Sequence, residues 1–133
     1  MRGIVLADTG PLYAVRDPDD DRHSRAQREL GRLISQNLKV VVTYPALLES
    51  YSLVMRRLGI REAHGFLDEV LRGSFIENPT PEDYRRAALR VLRYADQDIT
   101  LVDAVIAEIA DRLGTPVWTF DYHFDVMSAN VWR

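Results

Sequence analysis

Two apolar runs, each too short to be a helix, end on an aspartate: Ile4-Val5-Leu6-Ala7 before Asp8, and Val117-Trp118-Thr119-Phe120 before Asp121. A short, unbroken apolar run of this kind reads as a strand buried on both faces. Such strands need helices above and below them, which constrains the chain to an α/β layer architecture. The remaining pattern agrees. Strands are predicted at residues 3–7, 40–43, 74–78 and 116–120, with a last short one at 130–132. Helices are predicted over 9–15, 22–36, 45–58, 61–71, 80–94 and 100–114. The order β-α-α-β-α-α-β-α-α-β predicts a central parallel sheet of four to five strands flanked by helices on both faces.

Local signals mark the helix ends. Thr80-Pro81-Glu82-Asp83 places an N-cap threonine before a proline at the first helical position and acids in the first turn, where the helix dipole favours them. Pro45 suits the first turn of the helix after the second strand, and Gly59 and Gly114 suit helix ends. Asp17-Pro18-Asp19-Asp20-Asp21 is an acidic turn-rich loop.

Composition narrows the function classes. At 133 residues with 47% hydrophobic and 28% charged content, a single domain spanning residues 1–133 with a substantial core is expected. There is no cysteine, which removes disulfides and thiolate metal sites. No signal peptide or membrane-spanning run is read, so a cytoplasmic protein without membrane attachment is expected. The net charge is −3 and Lys39 is the sole lysine among 17 basic residues, so any nucleic-acid contact must come from local arginine patches. Arginine in place of lysine also follows from genomic base bias, the simpler reading.

Four acids from distant segments occupy positions that a parallel sheet can bring together. Asp8 and Asp121 follow predicted strands, while Glu49 and Asp103 fall in the first turns of predicted helices. In open α/β sheets, ligands bind beyond the carboxyl ends of the strands, beside helix starts. Carboxylates gathered without a cation repel one another and lose solvation, so such a cluster points to Mg²⁺ or Mn²⁺. Each acid also has an ordinary reading: Asp8 as a helix cap, Asp103 as a first-turn acid, Glu49 as a surface glutamate, Asp121 as a turn residue. Two features favour the shared site. Asp103 lies on the stripe of Ile106, Ala107 and Ala110 with no lysine nearby, and both post-strand aspartates share one rim of the sheet.

Four segments carry a family resemblance along nearly the whole chain. Ile4-Val5-Leu6-Ala7-Asp8-Thr9-Gly10-Pro11-Leu12-Tyr13 resembles the opening motif of PIN-domain ribonucleases, and Thr43-Tyr44-Pro45-Ala46-Leu47-Leu48-Glu49 their second acidic motif. Asp98-Ile99-Thr100-Leu101-Val102-Asp103-Ala104-Val105-Ile106-Ala107 is similar to the third, the most specific of the four, and Thr119-Phe120-Asp121-Tyr122-His123-Phe124 to the last. Within that family, length and layout resemble the VapC toxins of bacterial toxin–antitoxin pairs. The resemblance implies a Mg²⁺- or Mn²⁺-dependent endoribonuclease, acting on transfer RNA or another structured RNA and held inactive by a cognate antitoxin. It implies metal binding by Asp8, Asp103 and Asp121, with Glu49 completing the catalytic quartet and orienting water. Thr9, Thr119 and Asp98 are expected to support the ligands, the threonines as hydroxyl donors.

One position departs from the pattern. Some relatives carry a further acid two residues after the fourth, where this chain has His123, with Asp125 two residues beyond. A turn histidine packed against Phe124 is expected there, ahead of a phosphate contact. For RNA, Arg86, Arg90 and Arg93 form one helical stripe and Arg25, Arg28 and Arg32 another, with solvated helix faces as the simpler reading. The helices from Pro45 to Leu71, bearing Tyr51, Met55, Phe66 and Leu67, offer a surface for an antitoxin or for a homodimer, alongside plain core packing. Rival readings stay open: a housekeeping RNA-processing nuclease of the same family, a receiver-like phosphoacceptor, or a degenerate nuclease kept as a binding module. Asp8-Thr9-Gly10 also matches the aspartic-protease triplet, which belongs to an all-β dimer.

Overall fold

The computed structural model describes residues 3–133. Four parallel strands form one sheet in the order β3-β2-β1-β4, with β1 (Ile4–Ala7) and β2 (Lys39–Thr43) inside and β3 (Phe75–Glu77) and β4 (Val117–Trp118) at the edges. Between β1 and β2 run α1 (Thr9–Arg16) and α2 (His23–Ser35); between β2 and β3, α3 (Tyr44–Leu58) and α4 (Ile60–Gly73). Between β3 and β4 run α5 (Pro81–Leu92) and α6 (Leu101–Leu113), and α7 (His123–Val126) follows β4. No helix among the described residues is long and apolar enough to cross a membrane.

Alternation along the central strands divides the core between the two faces. Leu6 and Val117 join the larger cluster with Val42, Val54, Phe66, Ile106 and Phe124, and Val5 and Ala7 meet Leu33 and Trp118 on the other. Phe66, which the sequence left open between a partner surface and core packing, is 4% exposed and belongs to this core. The stripe of Ile106, Ala107 and Ala110 is buried as its spacing requires, because small side chains let α6 approach the sheet closely.

Helix ends follow the local chemistry. Thr80 and Asp83 form a reciprocal capping box, each backbone N–H donating to the other's side chain. Thr43 caps α3 and Thr100 caps α6 through hydroxyls that accept from the backbone N–H three residues on. Gly114 ends α6 with φ +61°, a left-handed conformation that glycine adopts without a Cβ penalty.

Two predicted elements come out differently, and one element was not predicted. β4 stops at Trp118, and Thr119 beyond it turns its hydroxyl to Asp8 and to the backbone of Asp121. The strand expected at 130–132 is reduced to one bridge between Val131 and Val117. The unforeseen α7 begins just beyond Asp121, whose carboxylate accepts the backbone N–H of His123.

The arginine stripe on α5 needs a correction. Arg90 faces inward, 6% exposed, with Nη1 bonded to Glu108 and Asp111 and Nη2 donating to the Met127 carbonyl. It ties α5 to α6 and to the segment after α7, and is unavailable to phosphate. Arg86 pairs with Glu82 on the surface and Arg93 lies exposed beyond the helix end. Removing one member of a buried ion pair strands the other charge. Arg90→Ala is therefore expected to lower unfolding stability by about 3 kcal/mol or more, measured by urea denaturation, while Arg86→Ala leaves the transition midpoint unchanged.

Candidate metal centre

The site grows from the middle of the sheet. β1 pairs with β4 through Leu6 and Ala7, and the backbone N–H of Asp8 donates to the Trp118 carbonyl, extending the ladder one residue past the strand. That bond brings the residue after β1 beside the residue after β4. Thr119 Oγ1 then donates to Asp8 Oδ2 at 2.8 Å and accepts the backbone N–H of Asp121 at 2.9 Å. One hydroxyl thus fixes two acids of the expected quartet. The other Asp8 oxygen, Oδ1, accepts the N–H of Thr9 at 2.8 Å, so Asp8 is also the N-cap of α1.

The other two acids arrive on helices. Asp103 is the third residue of α6, behind the Thr100 cap, and Glu49 lies in the second turn of α3, whose start is fixed by Thr43 at the end of β2. Asp8, Glu49, Asp103 and Asp121 all line one crevice of about 420 Å³, together with Thr9, Gly10, Thr100, Arg22, Phe120 and Tyr122. Asp8 and Asp103 are buried, Asp121 is half-buried and Glu49 stands exposed at the rim.

Electrostatics follow from this burial. Desolvation pushes the Asp103 carboxyl up to about 7, with the charges of Asp8 and Asp121 adding to it. Burial likewise lifts Asp8 to about 6, although the bonds from Thr119 and Thr9 oppose the shift. No lysine or arginine pairs with either acid among the described residues. A divalent cation offers what the protein does not, a positive charge with room for several oxygen ligands.

The donor set fits such a cation. Asp103, Asp121 and His123 each offer one ligand atom, and these atoms lie within 4.8 Å of one another. His123 Nδ1 is buried without a hydrogen-bond partner among the described residues, an orphaned donor atom facing the acids. Both oxygens of Asp8 already accept a hydrogen bond. Each carboxylate oxygen keeps a second lone pair, so Asp8 retains ligating capacity.

Supporting roles divide unevenly. Thr119 acts through its hydroxyl, whereas Thr9 supports Asp8 through its backbone N–H and its own buried hydroxyl has no partner among the described residues. Asp98 lies exposed in the loop before Thr100 and does not line the crevice. His123 escaped the sequence reading as a ligand candidate; its spacing of two residues from Asp121 was the available signal. Arg22, Phe120 and Tyr122 also escaped it. The Arg22 guanidinium sits 5.4 Å and that of Arg25 4.5 Å from the centre of the Phe120 ring, and nothing in the sequence links residues so far apart.

The PIN-domain family profile matches residues 5–130. The chain belongs to the PIN-domain family. No curated protein matches its sequence. Among solved structures it is similar to the Mycobacterium tuberculosis toxin VapC20, described as cleaving the sarcin-ricin loop, with 23% identity and a TM-score of 0.87 over 97% of this chain and 98% of that one. It is also similar to Rickettsia felis VapBC2 bound to a promoter DNA fragment, with 15% identity, a TM-score of 0.75 and coverage of 98% and 97%. Neisseria gonorrhoeae FitAcB gives 17% identity, a TM-score of 0.68 and coverage of 97% and 96%. At these identities the likeness is one of fold.

The raised carboxyls carry a pH dependence with a definite sign. Asp8 and Asp103 hold protons in the folded metal-free protein that the unfolded chain, with aspartate near 3.8, has released. The corresponding stability is full below about pH 4 and is lost as pH rises through about 6 and 7. The melting temperature of the metal-free protein is expected to fall between pH 5 and 8, by calorimetry, and Asp103→Asn to flatten that slope. Added Mn²⁺ should restore stability more at pH 8 than at pH 5.

Proposed function

We propose that this chain is a metal-dependent endoribonuclease and the toxin of a toxin–antitoxin pair. The observation that carries the reading is the convergence of Asp8, Glu49, Asp103 and Asp121 on one crevice at the carboxyl edge of a PIN-domain sheet. Asp8, Asp103 and Asp121 would hold Mg²⁺ or Mn²⁺. When bound, the ion supplies a Lewis acid for phosphate oxygens and lowers the pKa of water.

The chain's own groups divide the remaining work. Glu49 at the rim has no hydrogen-bond partner among the described residues and orients the attacking water. The Arg22 guanidinium, held over Phe120 and free of ion pairs among the described residues, lies where a substrate phosphate enters. Tyr122, 63% exposed on the same rim, offers a ring to an unstacked base. These features suit RNA with an unpaired segment, as in the loops of transfer RNA or another structured RNA.

The toxin role is supported by the neighbours, since VapC20 is described as a toxin and VapBC2 pairs a VapC with a VapB. We assign a cognate antitoxin to the apolar groove of about 750 Å³ between α1, α2 and α4, lined by Leu12, Val15, Leu30, Ile34 and Phe66. A homodimer is proposed as well, because Leu48, Leu89, Leu92 and Leu101 remain exposed. Action in the cytoplasm accords with an RNA substrate.

A housekeeping RNA-processing nuclease would use the same site and differ in having no antitoxin. A receiver-like module fits poorly, because Lys39 pairs with Ile4 at the amino end of the sheet, opposite the carboxylates. The deciding experiment is cleavage of total transfer RNA and of ribosomal RNA fragments with Mn²⁺, Mg²⁺ or EDTA. Cutting is expected only with metal, to vanish in Asp103→Asn, and to slow by about 100-fold or more in Glu49→Gln. Metal-independent cutting, or full activity in Asp103→Asn, would overturn the reading.

A further inference from the structure

The metal centre has a donor that carboxylate chemistry alone does not explain. His123 Nδ1 lies 3.1 Å from Asp121 Oδ1, yet the atoms are too poorly aligned for a hydrogen bond and Nδ1 remains without one among the described residues. A buried imidazole nitrogen normally finds a donor or acceptor. The ring is only 13% exposed, and Tyr122 packs beside it with centroids 4.5 Å apart.

The distances suit coordination. Two neighbouring ligands in an octahedron with bonds of about 2.1 Å stand about 3 Å apart, close to the Nδ1–Oδ1 separation of 3.1 Å. Ligand atoms of Asp103, Asp121 and His123 lie within 4.8 Å of one another, so one ion can reach all three. The backbone N–H of His123 donates to Asp121 Oδ1 at 2.9 Å, which fixes the aspartate against the residue that carries the ring.

We propose that His123 is a nitrogen ligand to a divalent cation shared with Asp103 and Asp121, and that it makes this centre prefer Mn²⁺ to Mg²⁺. The inference rests on the metal-centre reading above and deepens it. Mg²⁺ takes oxygen ligands almost exclusively. An imidazole raises affinity for transition metals, Mn²⁺ being the weakest of the divalent series, with Fe²⁺, Co²⁺ and Zn²⁺ gaining more. Adding one imidazole to the carboxylates therefore discriminates against Mg²⁺ by ligand type, where carboxylates alone would not.

The test needs no RNA. Mn²⁺ is added at one equivalent to the full chain, and pulsed electron paramagnetic resonance reads the ¹⁴N coupling of a directly bound imidazole. The wild type is expected to show that coupling and His123→Ala to lose it. The variant's Mn²⁺ affinity should fall by at least about 10-fold, while its weaker Mg²⁺ affinity, measured by competition, changes less than about 3-fold. Mn²⁺ bound through oxygen alone, or a nitrogen signal that survives in His123→Ala, overturns the proposal and leaves a carboxylate-only nuclease centre standing. Absence of Mn²⁺ binding to the wild type overturns both. If His123→Ala does not fold, the wild-type spectrum still decides between nitrogen and oxygen ligation.

Discussion

Thr119 Oγ1 holds the site together, and its position depends on strand pairing. Because β4 leaves the ladder after Trp118, the next residue points its hydroxyl between the ends of β1 and β4. It donates to Asp8 and accepts from the backbone of Asp121, so two acids of like charge are set at a fixed spacing by a neutral group. A hydroxyl can do both at once because it carries one proton and two lone pairs. A lysine or arginine there would also gather the acids, but would neutralise them and take the place of the cation.

Much of the remaining architecture serves this arrangement. Carboxylates can be gathered in a half-buried crevice only where the backbone leaves no freedom to retreat into solvent. Asp8 is held by two hydrogen bonds and a ladder bond, and Asp103 by a helix start whose threonine cap is fixed. The cost of this gathering appears in the raised carboxyl pKa values, with burial as the leading cause for both Asp8 and Asp103. The rest of the core offsets it, notably the small-residue stripe of α6 packed on the sheet and the Arg90 hub joining α5, α6 and the segment after α7.

What the sequence disclosed and what it withheld have separate physical causes. Element order, parallel pairing and helix caps were legible because each follows from local signals: short apolar runs, a Thr-Pro start, a glycine stop. The convergence of Asp8, Glu49, Asp103 and Asp121 on one crevice was legible for the same reason, since each lies near the end of an element whose direction the topology fixes. Arg90 was misassigned because helical spacing puts it in line with Arg86 and Arg93, while only tertiary packing shows that its part of the stripe meets α6. Phe66 was left open between partner surface and core, as amphipathic spacing marks an apolar face without saying whether another helix covers it. The Arg22–Phe120 contact depends on how the α1–α2 loop lies over the second residue beyond β4, which no local pattern encodes.

His123 illustrates a different limit. As a lone histidine in a turn, its ordinary fate is to pack against a neighbouring aromatic, and one ring does pack beside it, that of Tyr122 rather than Phe124. Its chemistry is decided by the other edge of the imidazole, whose nitrogen turns toward Asp121 without satisfying a hydrogen bond. The same short segment therefore does two jobs with adjacent atoms. The backbone N–H of His123 holds the carboxylate of Asp121 in place, and side chains from alternate residues supply the ligand atoms. That economy follows from the tight turn into α7, where residues two apart in the chain, Asp121 and His123, are brought to within contact of each other.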